Sequence, residues 1–123
     1  MAAQWVPIAK LHLDLQPDVF LDQEKVRRFE AAMRAGERFP AITVVSDAGK
    51  LFTRDGFHRV GAARACGRAV IDAFVSSGSA SEVARHFIRR GKAEGLDPAW
   101  IEYLERALSN RRFARAGVGG RKD

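Results

Sequence analysis

Asp55, Gly56, His58 and Arg59 fall inside one short stretch of the segment LFTRDGFHRVGAARACGR, Leu51–Arg68. A β-rich run delivers the chain to Asp55-Gly56, and a helical pattern starts at once at Phe57. The first N–H groups of a helix have no partner within it and carry partial positive charge, so they bind phosphate oxygens readily. Gly56 allows a tight turn and a close backbone approach to a ligand. Arg59 can grip phosphate with a planar fork. His58 can donate a hydrogen bond or shuttle a proton. The chemistry on offer is anion binding, with Gly56, the Phe57 backbone, His58 and Arg59 as binding groups and His58 and Asp55 as candidates for catalysis. A structural role is open for the same residues: Asp55 as a helix cap, His58 as a surface side chain, Arg59 as partner of Asp55 or Asp72.

Arg85 and Arg89, at i, i+4 in a basic cluster with His86, Arg90 and Lys92, share a helix face and could add phosphate contacts. The alternative is a solvated face. Trp100, Tyr103 and Phe113 could stack on bases, but their helical setting favours core or partner packing. His12, His58 and His86 have no metal-ligand spacing, so no dedicated metal site is expected. A magnesium ion carried by a nucleotide needs few protein ligands, with Asp55 the nearest carboxylate.

The elements that position these groups can be read in order. Trp5–Leu15 reads as a strand with Pro7 near an edge or start. Asp22 is placed to cap an amphipathic helix carrying Val26, Phe29 and Met33, with Gly36 ending it. Ala41–Ser46 and Leu51–Arg54 are strands joined by the turn Asp47-Ala48-Gly49. Phe57–Cys66 is a helix kept slim by Gly61, Ala62 and Ala63, and Val70–Val75 is the next strand. A strand–helix–strand unit over Leu51–Val75 allows a right-handed crossover. Ser79 and Glu82 fit a capping box for a helix to about Arg90, closed by Gly91 and Gly95. Asp97 and Pro98 start a last helix with Ile101, Leu104 and Leu108 on its stripe. The predicted order is β–α–β–β–α–β–α–α, an α/β (α+β) domain with a small mixed sheet, flanking helices and a C-terminal helical extension.

Asp55-Gly56-Phe57-His58-Arg59-Val60, followed by Ala62-Ala63, Gly67 and Ile71, resembles the DG-x-HR-x-x-AA…G…I pattern of small ParB-like proteins of the ParB/sulfiredoxin superfamily. The upstream FLDQEKVRRFEAAMRAGERFPAITVV is similar to the family's helix, link and strand, so the resemblance spans roughly Trp5–Val75. It implies a single ParB/sulfiredoxin-like domain with a nucleotide-phosphate pocket over the helix start. The nucleotide is CTP in the ParB branch, whose motif is Gly-Glu-Arg-Arg. It is ATP in sulfiredoxins, whose motif is Gly-Cys-His-Arg. Phe57 stands where the sulfiredoxin cysteine would be, and Cys66 lies at the far end of the helix on its apolar side, so sulfinic-acid reduction is not expected. Gln16-Pro17-Asp18 lacks an arginine that the ParB pattern would place there. No Asn-rich motif follows Ser79, and no helix-turn-helix domain follows in this chain. The resemblance implies a stand-alone ParB-like domain binding a nucleoside triphosphate, ATP or CTP, with Mg2+. Its setting would be DNA maintenance, partition or transfer of a plasmid or phage. Any enzymatic step would be hydrolysis of a phosphoanhydride or phosphodiester. The alternative is a regulatory or protein-interaction module with a vestigial pocket, acting as a homodimer or with a protein partner.

Length and charge agree with one domain: 123 residues, 46% apolar. We expect a domain over 1–110, with a core at 5–76 and a helical extension at 79–110, then a basic tail at 111–123. Of the net +6, Arg111, Arg112, Arg115, Arg121 and Lys122 against Asp123 account for +4. That tail can hold DNA phosphates without reading sequence, or can serve as a solvated end. No run approaches the roughly 20 apolar residues of a membrane span. No secretory signal is evident, and Cys66 has no partner cysteine, so the cytoplasm is the expected setting and no membrane partner is expected.

Overall fold

The computed structural model describes residues 2–113. The chain forms β1 (Gln4–Pro7), a short 3-10 turn (Ile8–Lys10), β2 (Leu11–His12), a second 3-10 turn (Asp18–Phe20), α1 (Gln23–Arg34), β3 (Ile42–Asp47), β4 (Lys50–Asp55), α2 (Phe57–Ala65), β5 (Val70–Ser77), α3 (Ala80–Glu94) and α4 (Pro98–Ser109). The five strands form one mixed sheet in the order β1-β5-β3-β4-β2.

The first strand differs from expectation. Trp5–Leu15 is not one strand: β1 ends at Pro7, Ile8–Lys10 is a 3-10 turn, and β2 ends at His12, leaving Leu13–Leu15 outside the sheet. β1 runs antiparallel to β5 on one edge, and β2 runs parallel to β4 on the other. A flat five-stranded sheet would hold its edges about 19 Å apart. The step from Pro7 to Leu11 reaches at most about 14 Å. The sheet must therefore curl until its edges are near each other.

The crossover also differs. β3 is antiparallel to β4 and parallel to β5, so β4 and β5 are antiparallel with β3 between them. The parallel crossover runs from β3 to β5, through β4 and α2. One consequence is that β4 ends at Asp55 beside Thr43, close to where β3 begins. The site segment and the Phe39-Pro40-Ala41 link thus meet at one end of the sheet.

Each face of the sheet has its own core. Ile42, Val44 and Ala73 pack with Val60, Ala62, Ala63 and Met33 under α1 and α2. Val45 and Phe52 pack with Val83, Ala84, Trp100, Ile101 and Leu104 under α3 and α4. The small residues of α2 serve the close packing expected of them: Ala62 and Ala63 are fully buried, and a Cβ on Gly61 would stand 3.5 Å from Val26 of α1. Gly91 does not end α3, which continues to Glu94. It is buried inside the helix, where a Cβ would overlap the Ile101 side chain. Its smallness sets how closely α4 approaches. Packing continues past α4 to Phe113, which is fully buried and meets Phe52 edge-on at 6.3 Å.

Trp100 and Tyr103 are packing groups in the body of the domain. The Trp100 indole N–H donates to the Leu15 carbonyl at 2.8 Å, and the Tyr103 hydroxyl to the Asp14 carbonyl at 2.6 Å. α4 thereby fixes the loop that carries Gln16.

Candidate functional site

α2 begins at Gly56 with φ +106 and ψ 24, a left-handed conformation that glycine adopts without strain. A Cβ there would overlap the Ile42 side chain, so the position excludes other residues twice over. No side chain caps this helix. The first intrahelical bond runs from the Val60 N–H to the Gly56 carbonyl at 2.9 Å, which leaves the N–H groups of Phe57, His58 and Arg59 without helical acceptors. The Phe57 side chain is buried among Leu15, Phe52 and Trp100. That burial, about 1.5–3 kcal/mol by area, anchors the first turn, so only the Phe57 backbone is offered to a ligand.

The helix start opens onto a cleft of about 640 Å³ lined by Gln16, Lys25, Phe29, Pro40, Asp55 and Gly56–Arg59, with Phe39 and Ala41 completing the wall. Lys25 and Gln16 were not read from the sequence as site residues. Lys25 comes from the first turn of α1, with its ammonium 5.5 Å from the centroid of the Phe29 ring. Asp22 as the α1 cap was the only sequence signal that could have placed it, since a residue three past a cap lies at the same helix end. The amino-terminal ends of α1 and α2 are joined directly: the Asp22 N–H donates to His58 Nε2 at 3.1 Å. The Asp22 carboxylate closes the start of α1, so the uncapped start of α2 and the Lys25 ammonium are what favour an anion in the cleft.

That bond fixes the state of His58. Nε2 accepts, so it is unprotonated and the ring proton sits on Nδ1. Burial, followed by the Lys25 charge, holds the His58 pKa below its ordinary 6.5, with the Asp22 carboxylate opposing. His58 is thus a neutral imidazole in the folded protein, with one N–H left to give.

Arg59 is only 16% exposed at its side chain, and it is engaged. Nη1 donates to the Pro40 carbonyl at 2.8 Å and the Ala41 carbonyl at 3.0 Å. Nη2 stands 3.4 Å from Asp55 Oδ2. Of the two acidic partners considered, Asp55 is the one in contact. Arg59 ties α2 to the link that enters β3. Asp55 is otherwise exposed at the cleft mouth and does not cap α2.

Arg85 and Arg89 lie on α3, whose first N–H, that of Ala80, donates to the buried Asp47 at the far end of β3. Neither arginine lines the cleft, and Arg85 pairs with Glu82 at 3.1 Å. Cys66 terminates α2, with Sγ 3.6 Å from the Glu30 carbonyl, packed against the α1–α2 core. Of the basic tail, Arg112 lies 3.8 Å from Asp14; Arg115, Arg121 and Lys122 fall outside the described residues. Among the described residues no group of three or more His, Cys, Asp or Glu could hold a metal ion, and no helix is long and apolar enough to cross a membrane.

The curled mixed sheet with an uncapped glycine-led helix beside it is the ParB/sulfiredoxin-like fold, in a single α/β domain. A sulfiredoxin from Arabidopsis thaliana superposes with a TM-score of 0.60 at 24% identity, over 70% of this chain and 96% of that one. The C-terminally truncated chromosome-partitioning protein ParB from Caulobacter crescentus, complexed with CTP-gamma-S, gives 0.57 at 19% identity, over 75% of this chain. The same ParB complexed to the centromeric parS site gives 0.55 at 16% identity, over 94% of this chain. The chain spans 54% and 63% of those two ParB chains. No family model matches the sequence, and no curated protein does. At these identities the likeness shows the fold.

Proposed function

We propose that this domain binds a nucleoside triphosphate, ATP or CTP, with its phosphates at the start of α2. The observation that carries the reading is the uncapped helix start at Gly56 opening onto the cleft that Lys25 and His58 share. The cleft volume lies within the roughly 300–1,000 Å³ usual for ligand pockets. The N–H groups of Phe57, His58 and Arg59 would hold phosphate oxygens, with His58 giving its Nδ1 proton and Lys25 supplying the positive charge that Asp18 does not. Asp55 is the carboxylate at the cleft mouth, so a Mg2+ would be held mainly by the phosphates.

Binding ranks above hydrolysis in this reading. His58 has its basic nitrogen occupied by the Asp22 N–H, and Asp55 faces Arg59. Neither is a free general base, so any phosphoanhydride or phosphodiester hydrolysis would rest on positioning and charge. Arg85 and Arg89, which do not line the cleft, would act on DNA phosphates away from it, together with the basic residues from Arg111 onward. The wider role we propose is DNA maintenance, partition or transfer for a plasmid or phage, in the cytoplasm. The solved neighbour complexed to parS supports the DNA part of that role.

A second reading has its own observation. The Arg59 guanidinium already serves two carbonyls and Asp55, which suits a pocket retained for structure in a regulatory, protein-binding module. One experiment separates the two. Thermal melting is followed with ATP, CTP, GTP and ADP at millimolar concentration, with and without Mg2+, for the wild type and Lys25→Met. Ligand binding to the native state raises the melting temperature by mass action. The proposal expects a rise with a triphosphate that shrinks in Lys25→Met. No rise with any nucleotide, alongside a stable partner in pull-downs, favours the second reading.

A further inference from the structure

The α3–α4 layer covers Val45 and Phe52 but includes no residue of β1 or β5 in its core. Among the described residues, nothing in that core covers the outer face of those two strands. Four large apolar side chains are exposed among the described residues, and three of them meet here: Trp5 at 76%, Val70 at 39% and Phe74 at 37%. In the β1–β5 register Trp5 stands opposite Asp72, so Val70 and Phe74 are its diagonal neighbours on one face. Apolar clusters of this kind mark interaction sites.

The polar groups on this face identify its occupant. Along the outward row of β5 and the turn before it, the order is Arg68, Val70, Asp72, Phe74, all exposed. Neither Arg68 nor Asp72 forms an ion pair among the described residues. The row is self-complementary about Val70. A twofold axis crossing the strands there lays a second row antiparallel on the first, so that each Arg68 faces the other copy's Asp72. A parallel arrangement would set Arg68 on Arg68. Beside the row a cavity of about 230 Å³ runs from Trp5, Arg68 and Val70 to Pro40, Met33 and Arg59. The pairing of opposite charges does not suit nucleic acid, which would want arginine without the carboxylate.

We propose that the β1–β5 face is the contact between two copies of this chain, packed antiparallel about Val70 in an isologous dimer. The cavity beside this face shares Phe39, Pro40 and Arg59 with the cleft at the α2 start, but the proposal does not depend on nucleotide binding. Sedimentation equilibrium of the full chain tests it, with circular dichroism and melting to confirm that each variant is folded. The wild type is expected to dimerise. Arg68→Asp and Asp72→Arg should each weaken the dimer by about tenfold or more, because each sets like charges opposite one another. Combining the two swaps should recover most of the lost affinity, which a merely destabilised monomer would not do. Trp5→Ala should weaken the dimer with little change in melting. A wild type that is monomeric up to about 1 mM overturns the proposal and leaves the face to a different macromolecule. So does a dimer indifferent to the single swaps, or single-swap losses that the double swap does not recover.

Discussion

The first turns of α1, α3 and α4 differ in kind from the first turn of α2. Asp22 accepts from the Glu24 and Lys25 N–H groups, Ser79 from Glu82 and Asp97 from Ala99. Those three helices satisfy their own starts. α2 has glycine at the cap and nothing in its place. A helix that closes its own end gains stability, typically about 1 kcal/mol. A helix that leaves its end open keeps donors for something else. The contrast separates starts that satisfy their own donors from one that leaves them open, and it can be broken from either side.

Gly56→Ala should have the largest effect. It combines a positive φ with overlap on Ile42, and we expect a loss of about 3 kcal/mol in stability, read by chemical denaturation, together with loss of any nucleotide-induced rise in melting. Arg59→Ala comes next. It removes charge-assisted bonds to the Pro40 and Ala41 carbonyls, and should cost about 2 kcal/mol as well as weakening ligand binding. A variant that loses ligand response without losing stability would show that the tether seen here is dispensable. Ser79→Ala and Asp97→Ala sharpen the other side of the contrast: each should cost about 1 kcal/mol in denaturation while leaving the ligand response intact.

The smallest effect is on pH dependence. The folded protein holds the His58 pKa below 6.5, so between that lowered value and 6.5 the unfolded chain binds more protons than the native one. This contribution to stability is present above pH 6.5 and is lost as the pH falls through that window. Protonation would also remove the acceptor for the Asp22 N–H. Melting measured from pH 7.5 to 5 should show a decline that His58→Gln flattens. An equal decline in the variant would move the cause elsewhere.

Much of the frame was legible because its signals act over a few residues. Asp22, Ser79 with Glu82, and Asp97-Pro98 announce their helices through bonds that span two or three positions. The turn after β3 was equally plain, since Ala48 and Gly49 both adopt positive φ, as a tight hairpin requires. Gly91 misled because a glycine that admits a neighbouring helix reads, in sequence, like one that ends its own. The split of the first strand was hidden for a related reason: Val6, Ile8 and Leu11 are apolar whichever edge they pair with.

The sequence by itself determined where the helices begin and that His58 and Arg59 stand in the first turn of a helix led by Gly56, while it left Asp55 open as the cap of that helix. Tertiary structure decided what those side chains do. His58 became a neutral acceptor through Asp22, 36 positions away. Arg59 became a tether through Pro40, 19 positions away. Lys25 joined the site only because α1 and α2 bring their amino-terminal ends together. Capping and turn formation are set by local geometry and the chemistry of near neighbours. Protonation state, ion pairing and the shape of a cleft depend on charges and carbonyls that only the folded chain brings into range.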